Sequence, residues 1–152
     1  MNHPSYSNPY HQHCMDLLVK RSDEIRAAMD AVQQSANSET KSTAGDKHET
    51  ARAMAQLEVE MLSKQLEEIN KSIAMLKRIP TTTTSNSVQQ GSVVETSIGT
   101  FYLSVGLGNF SIEGKNIIAI STESPLAMAI MGKQPGEKIE WRGQQMEVST
   151  IK

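Results

Sequence analysis

The sequence predicts an α+β fold, in which an N-terminal antiparallel α-helical coiled-coil hairpin precedes a C-terminal β-rich domain with one short helix. Two observations favour this class. Apolar residues recur with helical periodicity between residues 14 and 79, and beyond residue 91 they form short β-branched and aromatic segments separated by glycines. We therefore divide the chain into a disordered tail at 1–13, a hairpin at 14–80, a linker at 81–90 and a β-rich domain at 91–152.

The second helix of the hairpin has the clearest pattern. Its apolar positions, separated alternately by four and three residues, are Ala55, Val59, Leu62, Leu66, Ile69, Ile73 and Leu76. This spacing is typical of a coiled-coil seam, and Pro80 ends the helix because proline cannot continue the backbone hydrogen bonds. In the first helix, predicted from about Cys14 to Ser35, the residues Leu18, Ile25 and Val32 recur every seven positions. A short polar tip at about 37–49 joins the helices, which predicts that they are antiparallel.

The two segments flanking the hairpin are polar. Residues 1–13 contain two prolines and show no periodicity, which is typical of disorder, so we expect His3, His11 and His13 to be solvated. Residues 81–90 are polar and uncharged, as in a linker. Cys14 begins the first apolar face and is predicted to be a small core residue rather than a nucleophile.

The β-rich domain is predicted to contain strands at 92–98, 100–105 and 116–122, and a hairpin formed by 138–141 and 145–151. One short helix interrupts them. Ser124 suits its N-cap, Pro125 its first turn and Gly132 its C-terminal end.

The composition narrows the class of protein. A formal net charge of −2 argues against binding free nucleic acid, which usually requires a basic excess. No apolar run approaches the roughly 20 residues of a membrane helix, and residues 1–13 lack the features of a signal peptide. Cys14 is the single cysteine, which excludes an internal disulfide and fits a reducing compartment. We therefore expect a cytoplasmic protein without a membrane partner.

The segment from Ser124 to Lys133, SPLAMAIMGK, followed by Gly136 and a short hairpin, resembles the C-terminal domain of the GreA/GreB transcription elongation (transcript cleavage) factors. The family pattern is roughly S-P-[LI]-A-x-A-[LI]-[LI]-G-K. The resemblance implies an FKBP-like domain, with a curved antiparallel sheet and this short helix against it. It also implies RNA polymerase as the partner, with Ser124, Pro125, Met128 and Met131 as the partner-binding residues.

A second match lies at the hairpin tip, where residues 45–51, GDKHETA, resemble the family's G-D-x-x-E-N-A. In the family, the two acids enter the polymerase secondary channel and help to hold a second Mg²⁺ and a water at the polymerase active site. The resemblance assigns these catalytic and metal-binding roles to Asp46 and Glu49. It implies a monomeric accessory factor that is not itself an enzyme, binds no cofactor stably and shares Mg²⁺ with the polymerase. The resemblance also implies that this factor contacts the backtracked RNA 3′ end only indirectly.

The chemistry suits these residue types. Hydrolysis by two metals needs two hard cations about 3.5–4 Å apart, and Mg²⁺ accepts one or two carboxylates while keeping several waters. Two acids three positions apart share one face of a helix. An alternative for Asp46 and Glu49 is a capping box, in which both side chains bond to the helix N-terminus.

Three other functions remain open at this stage. A non-cleaving regulator of the same channel is favoured by Thr50, which stands where the family has Asn. An FKBP-like prolyl isomerase or chaperone would need an aromatic pocket, but its domain has only Phe101, Tyr102, Phe110 and Trp141. A coiled-coil scaffold would pair the seams of two chains.

Overall fold

The computed structural model describes residues 8–40, 45–81 and 86–152, with side chains at 8–38, 49–81 and 86–152. The elements, in chain order, are helix α1 (Pro9–Thr40), helix α2 (Gly45–Arg78), strands β1 (Val93–Thr96), β2 (Gly99–Ser104), β3 (Gly108–Ile112) and β4 (Lys115–Ser121), helix α3 (Pro125–Ile130), and strands β5 (Lys138–Trp141) and β6 (Gln144–Ile151). The predicted α+β class is confirmed. Residues 1–7 of the predicted tail, 41–44 of the tip and 82–85 of the linker lie outside the described residues.

The two long helices form the predicted hairpin. Near the tip, Ala36 of α1 and Ala55 of α2 line the same surface groove, and at the other end His11 of α1 bonds to Leu76 of α2, so the helices are antiparallel. The seam residues of α2 are partly or fully buried, while the positions between them are exposed except for Ser72. Helix α2 ends two residues before Pro80, where the sequence predicted it would end.

Helix α1 begins at Pro9, which corrects the predicted extent of the disordered tail. Asn8 caps the helix, because its side-chain Oδ1 accepts a hydrogen bond of 3.0 Å from the backbone N–H of His11. Pro9 occupies the first helical position, where its missing N–H costs nothing and its fixed φ is already helical. The prolines that suggested disorder therefore include one that starts a helix.

The chain forms two compact units. One, which we call the arm, contains residues 16–73. The other, which we call the sheet unit, contains residues up to Met15 together with Ala74–Lys152. The first turns of α1 and the last turn of α2 therefore belong to the sheet unit.

The six strands formed by the described residues lie in the order β3-β4-β2-β1-β6-β5. Neighbouring strands are antiparallel except for β2 and β4, which are parallel with Tyr102 opposite Ala119. The sheet is therefore mixed, which corrects the expectation of a purely antiparallel one. Strand β3 supplies the connection that makes this parallel pair possible, because it turns the chain back before β4 begins.

Both faces of the sheet are covered within its own unit. Phe101 and Leu103 belong to the core that packs against Ala127 and Ile130 of α3. Successive strand residues point to opposite faces, so Tyr102 lies on the other face, where its ring is 6.0 Å from that of Tyr10 in α1. The sheet is thus sandwiched between α3 and the first turns of α1.

The linker prediction at 81–90 was wrong at its C-terminal end. Val88 is buried in the core beneath α3. Its backbone N–H donates to the carbonyl of Lys133 and its carbonyl accepts from Gly132 N–H, each at 2.8 Å. A single apolar residue among polar ones was too weak a signal to predict this contact.

Candidate functional site

Asp46 and Glu49, the two predicted metal-binding residues, lie in the first turns of α2 at the tip of the arm. Glu49 is exposed, as is Thr50 beside it. The side chain of Asp46 lies outside the described part of the structure. Positions three apart on a helix lie on the same side, so residues 46 and 49 share a face of α2. Both residues are inside the helix, which begins at Gly45.

In the described side chains, which exclude Asp46, no three His, Cys, Asp or Glu residues come together as a metal site would require.

The predicted partner-binding residues are brought together by helix α3. Ser124 is the N-cap, and its Oγ accepts a hydrogen bond of 3.3 Å from the backbone N–H of Ala127. Pro125 follows at the start of the helix, as the sequence predicted. Ala127 and Ile130 are buried, whereas Met128 on the helix is 68% exposed and Met131, its C-cap, is 38% exposed. Two flexible thioether side chains therefore lie at the surface here.

The chain leaves α3 through Gly132, whose φ of +79° lies in the left-handed region that favours glycine. The predicted capping signals at both ends of α3 are therefore confirmed.

A buried polar cluster in the sheet unit was missed by sequence reasoning. It consists of Asn8 and Cys14 of α1 with Tyr102 and Ser104 of β2, and each of the four is at most 8% exposed. Burial raises the pKa of the Cys14 thiol to about 11, and the neighbouring Ser104 hydroxyl offsets part of that rise. Cys14 is thus a protonated core residue at neutral pH, as predicted.

The same burial raises the pKa of Tyr102, and a charged Cys14 would raise it further. Within the described residues, the hydroxyls of Tyr102 and Ser104 are buried without a hydrogen bond of ordinary geometry. Both side chains therefore belong to the packed interior of the sheet unit.

The predicted solvation of His11 and His13 was wrong, because both side chains are partly buried against their own unit. His11 Nε2 donates a hydrogen bond of 2.8 Å to the carbonyl oxygen of Leu76. The ring of His13 stacks on that of Phe110, with centroids 4.5 Å apart. The Asn8-Pro9 pair was the available signal for this helical start.

The aromatic residues that an isomerase pocket would need are engaged elsewhere. Phe101 is in the core beneath α3, and Tyr102 and Phe110 pack against the start of α1. Trp141 packs on the same core as Phe101, with the Arg142 guanidinium 5.1 Å from its ring centroid. The four rings therefore do not converge on one pocket.

Comparison with known proteins gives a weak structural likeness. No protein-family profile matches the chain, and no curated protein matches it. The chain is similar to a solved structure of the transcription factor Gfh1, with 15% sequence identity and a TM-score of 0.35, over 90% of this chain and 92% of that chain.

The helices, as far as the chain is described, also lack a stretch with the length and apolar character that crossing a membrane demands.

Proposed function

We propose that this protein is a transcription elongation factor that binds RNA polymerase through its secondary channel and assists cleavage of backtracked RNA. The observation that carries the proposal is the position of Asp46 and Glu49, three residues apart in the first turns of α2, at the tip of a two-helix arm. The match of residues 45–51 and 124–133 to the family patterns is the reason to interpret these two acids as metal ligands.

The arm and its acids suit the delivery of a metal ligand over a distance. Helix α2 has 34 residues, which corresponds to about 50 Å at 1.5 Å per residue. The exposed carboxylate of Glu49, together with Asp46, would retain a second Mg²⁺ beside the one that the polymerase holds. One metal would activate the attacking water and the other would stabilise the leaving oxygen. The protein would therefore supply ligands, while the polymerase remains the enzyme.

Helix α3 would anchor the protein at the channel rim. Its buried residues fix the helix to the sheet, while Met128 and Met131 remain outside. Methionine side chains are flexible and adapt to the shape of an apolar partner surface, which favours docking. This placement implies that the protein works in the cytoplasm, where the polymerase is.

The test is a cleavage assay with a backtracked elongation complex in the presence of Mg²⁺. The wild-type protein should shorten the RNA from its 3′ end. Asp46→Asn and Glu49→Gln keep the size of each side chain but remove its charge, so both should abolish cleavage while binding to the polymerase persists. Glu60→Gln is the matched control, since Glu60 is an exposed acid on the same helix away from the tip. Cleavage that survives both tip substitutions would refute the assigned mechanism.

A second candidate function is a regulator that enters the same channel without cleaving. It is favoured by Thr50, which is exposed beside Glu49 and replaces the family's Asn. Threonine cannot offer the two amide donors of asparagine, so a bound RNA or water would be held differently. Binding to the polymerase with an unchanged RNA 3′ end would identify this function, and Thr50→Asn would then be expected to restore cleavage.

A further inference from the structure

An apolar groove runs along the arm. Its wall on α2 is formed by Met54, Leu57 and Met61, which are 63%, 58% and 63% exposed. Their spacing of three and then four residues places all three on one side of the helix. Its wall on α1 includes the small residues Ala31 and Ser35.

The groove lies beside the hairpin seam and shares Val32 and Ala55 with it. The seam residues Ala55, Val59 and Leu62 are partly buried, whereas Met54, Leu57 and Met61 are exposed. An α-helix in water usually keeps such positions polar, and contiguous exposed apolar side chains mark interaction surfaces. The large exposed side chains of α2 stand beside the small residues Ala31, Ser35 and Ala36 of α1, which leaves room for a third helix. From Met54 to Met61 the stripe covers seven residue steps, or about 10 Å, which matches two turns of a bound helix.

The charges beside the groove indicate which helix it fits. Glu58 is the one charged residue among those described as lining it. Glu24 is exposed seven residues before Ala31, so it lies on the same side of α1 two turns away. The arm as a whole carries eleven acidic and eight basic residues. Lys64 lies on the same side of α2 as the stripe, three residues beyond Met61. A second copy of the chain would bring another net-acidic arm, whereas a helix edged with lysine or arginine would pair with these acids.

We propose that this groove binds an amphipathic helix of a partner protein, with apolar residues at helical spacing and basic residues along its edge. The apolar residues contact Met54, Leu57 and Met61, and the basic residues face Glu58 and Glu24. Recognition of this kind is governed by anchors spaced three, four and seven residues apart. The inference stands apart from the tip, because it uses neither Asp46 nor Glu49.

Fluorescence anisotropy with synthetic peptides tests the proposal on the full chain. The probe is a labelled helical peptide of about 18 residues, five turns, with leucines along one face and lysines at its edges. Its twin carries glutamates in place of the lysines. We expect saturable binding of the lysine peptide, and binding at least about tenfold weaker for the glutamate peptide.

Variants of the protein locate the site. Leu57→Gln should weaken binding of the lysine peptide at least about tenfold, since a central apolar anchor is lost. Glu58→Lys should reduce the preference for the lysine peptide over its twin. Val19→Gln is the matched control, because Val19 is 44% exposed on α1 and does not line the groove, and it should leave binding unchanged. Circular dichroism should show that all three variants keep their helices, so that a change in binding reports on the groove itself.

Three results would overturn the proposal. Equal binding of the two peptides would mean that the acids do not select the partner. Equal weakening by Leu57→Gln and Val19→Gln would place the binding site elsewhere. Sedimentation that shows a dimer of the wild type and a monomer of Leu57→Gln would identify a second copy of the chain as the occupant.

Discussion

The packing of the end of α2 into the sheet unit can be tested by one pair of neighbouring substitutions, Leu76→Ala and Met75→Ala. Leu76 is fully buried, whereas Met75 is 36% exposed. Removing three buried carbons from Leu76 forfeits about 2.4 kcal/mol of transfer free energy at about 0.8 kcal/mol each, and the cavity left behind brings the cost to about 3 kcal/mol. Met75→Ala should cost about 1 kcal/mol or less, because much of that side chain is already in water. Alanine is a strong helix former, so neither change penalises the helix itself.

The assay is urea unfolding followed by the fluorescence of Trp141, the single tryptophan of the chain, which packs against the core of the sheet unit. At a slope of about 2 kcal/mol per molar, a loss of 3 kcal/mol lowers the midpoint by about 1.5 M. Met75→Ala should lower it by no more than about 0.5 M. Equal midpoints for the two variants would refute the burial of Leu76, and with it the assignment of the last turn of α2 to the sheet unit.

Three further predictions follow from the contacts of the sheet unit. Asn8→Ala removes the cap of α1 and should lower the free energy of unfolding by about 1 kcal/mol, measured by urea unfolding; an unchanged midpoint would contradict the capping bond. The pKa of Cys14 is about 11 in the folded protein against an ordinary value of 9.0. The buried thiol is tolerated only in its neutral form, so the full free energy of unfolding is present below pH 9 and part of it is lost as the pH rises towards 11. Thermal unfolding of the wild type at several pH values should show that the free energy of unfolding falls by about 1–2 kcal/mol over this range, and Cys14→Ala should reduce this fall. Parallel pH profiles for the wild type and Cys14→Ala would contradict the raised pKa. Met128→Ser should weaken polymerase binding about tenfold in a pull-down titration, while Ile98→Ser, at an exposed apolar residue away from α3, should not; equal effects would argue against α3 as the anchor.

The elements that the sequence predicted best are those whose pattern is repeated or capped. The seam of α2 repeats over seven positions, and α3 has Ser124 and Gly132 at its ends, so several independent signals agree on each. Strand β3 was missed because GNFSI has little β-branched character and lies at a sheet edge. Its only strong signal was the Glu113-Gly114 turn, whose two positive φ values close the hairpin with β4.

The candidate sites differ in how far the sequence could predict them. The exposure of Met128 follows from helical spacing, because buried Ala127 and Ile130 require the opposite face to be outside. The cluster of Cys14 with Tyr102 and Ser104 joins segments almost ninety residues apart, and no local pattern encodes such a contact. At the tip, spacing predicts that Asp46 and Glu49 share a face, but it cannot distinguish metal ligands from a helix cap, because both require the same spacing.

The pairing of β1 with β6 can be completed only late in the synthesis of the chain. Val93 and Lys152 exchange two backbone hydrogen bonds, of 3.0 and 2.9 Å, so a central strand of the sheet waits for residue 152 before its second edge is covered. The hairpin joins residues close in sequence and can form while the chain is still being synthesised. The start of α1, made first, stays without its partners Tyr102 and Phe110 until much later. A nascent chain thus passes through a stage in which the helices of the arm can form but the sheet of the sheet unit is incomplete. If synthesis stalls before residue 152, one edge of β1 stays unpaired and can pair with a strand of another chain.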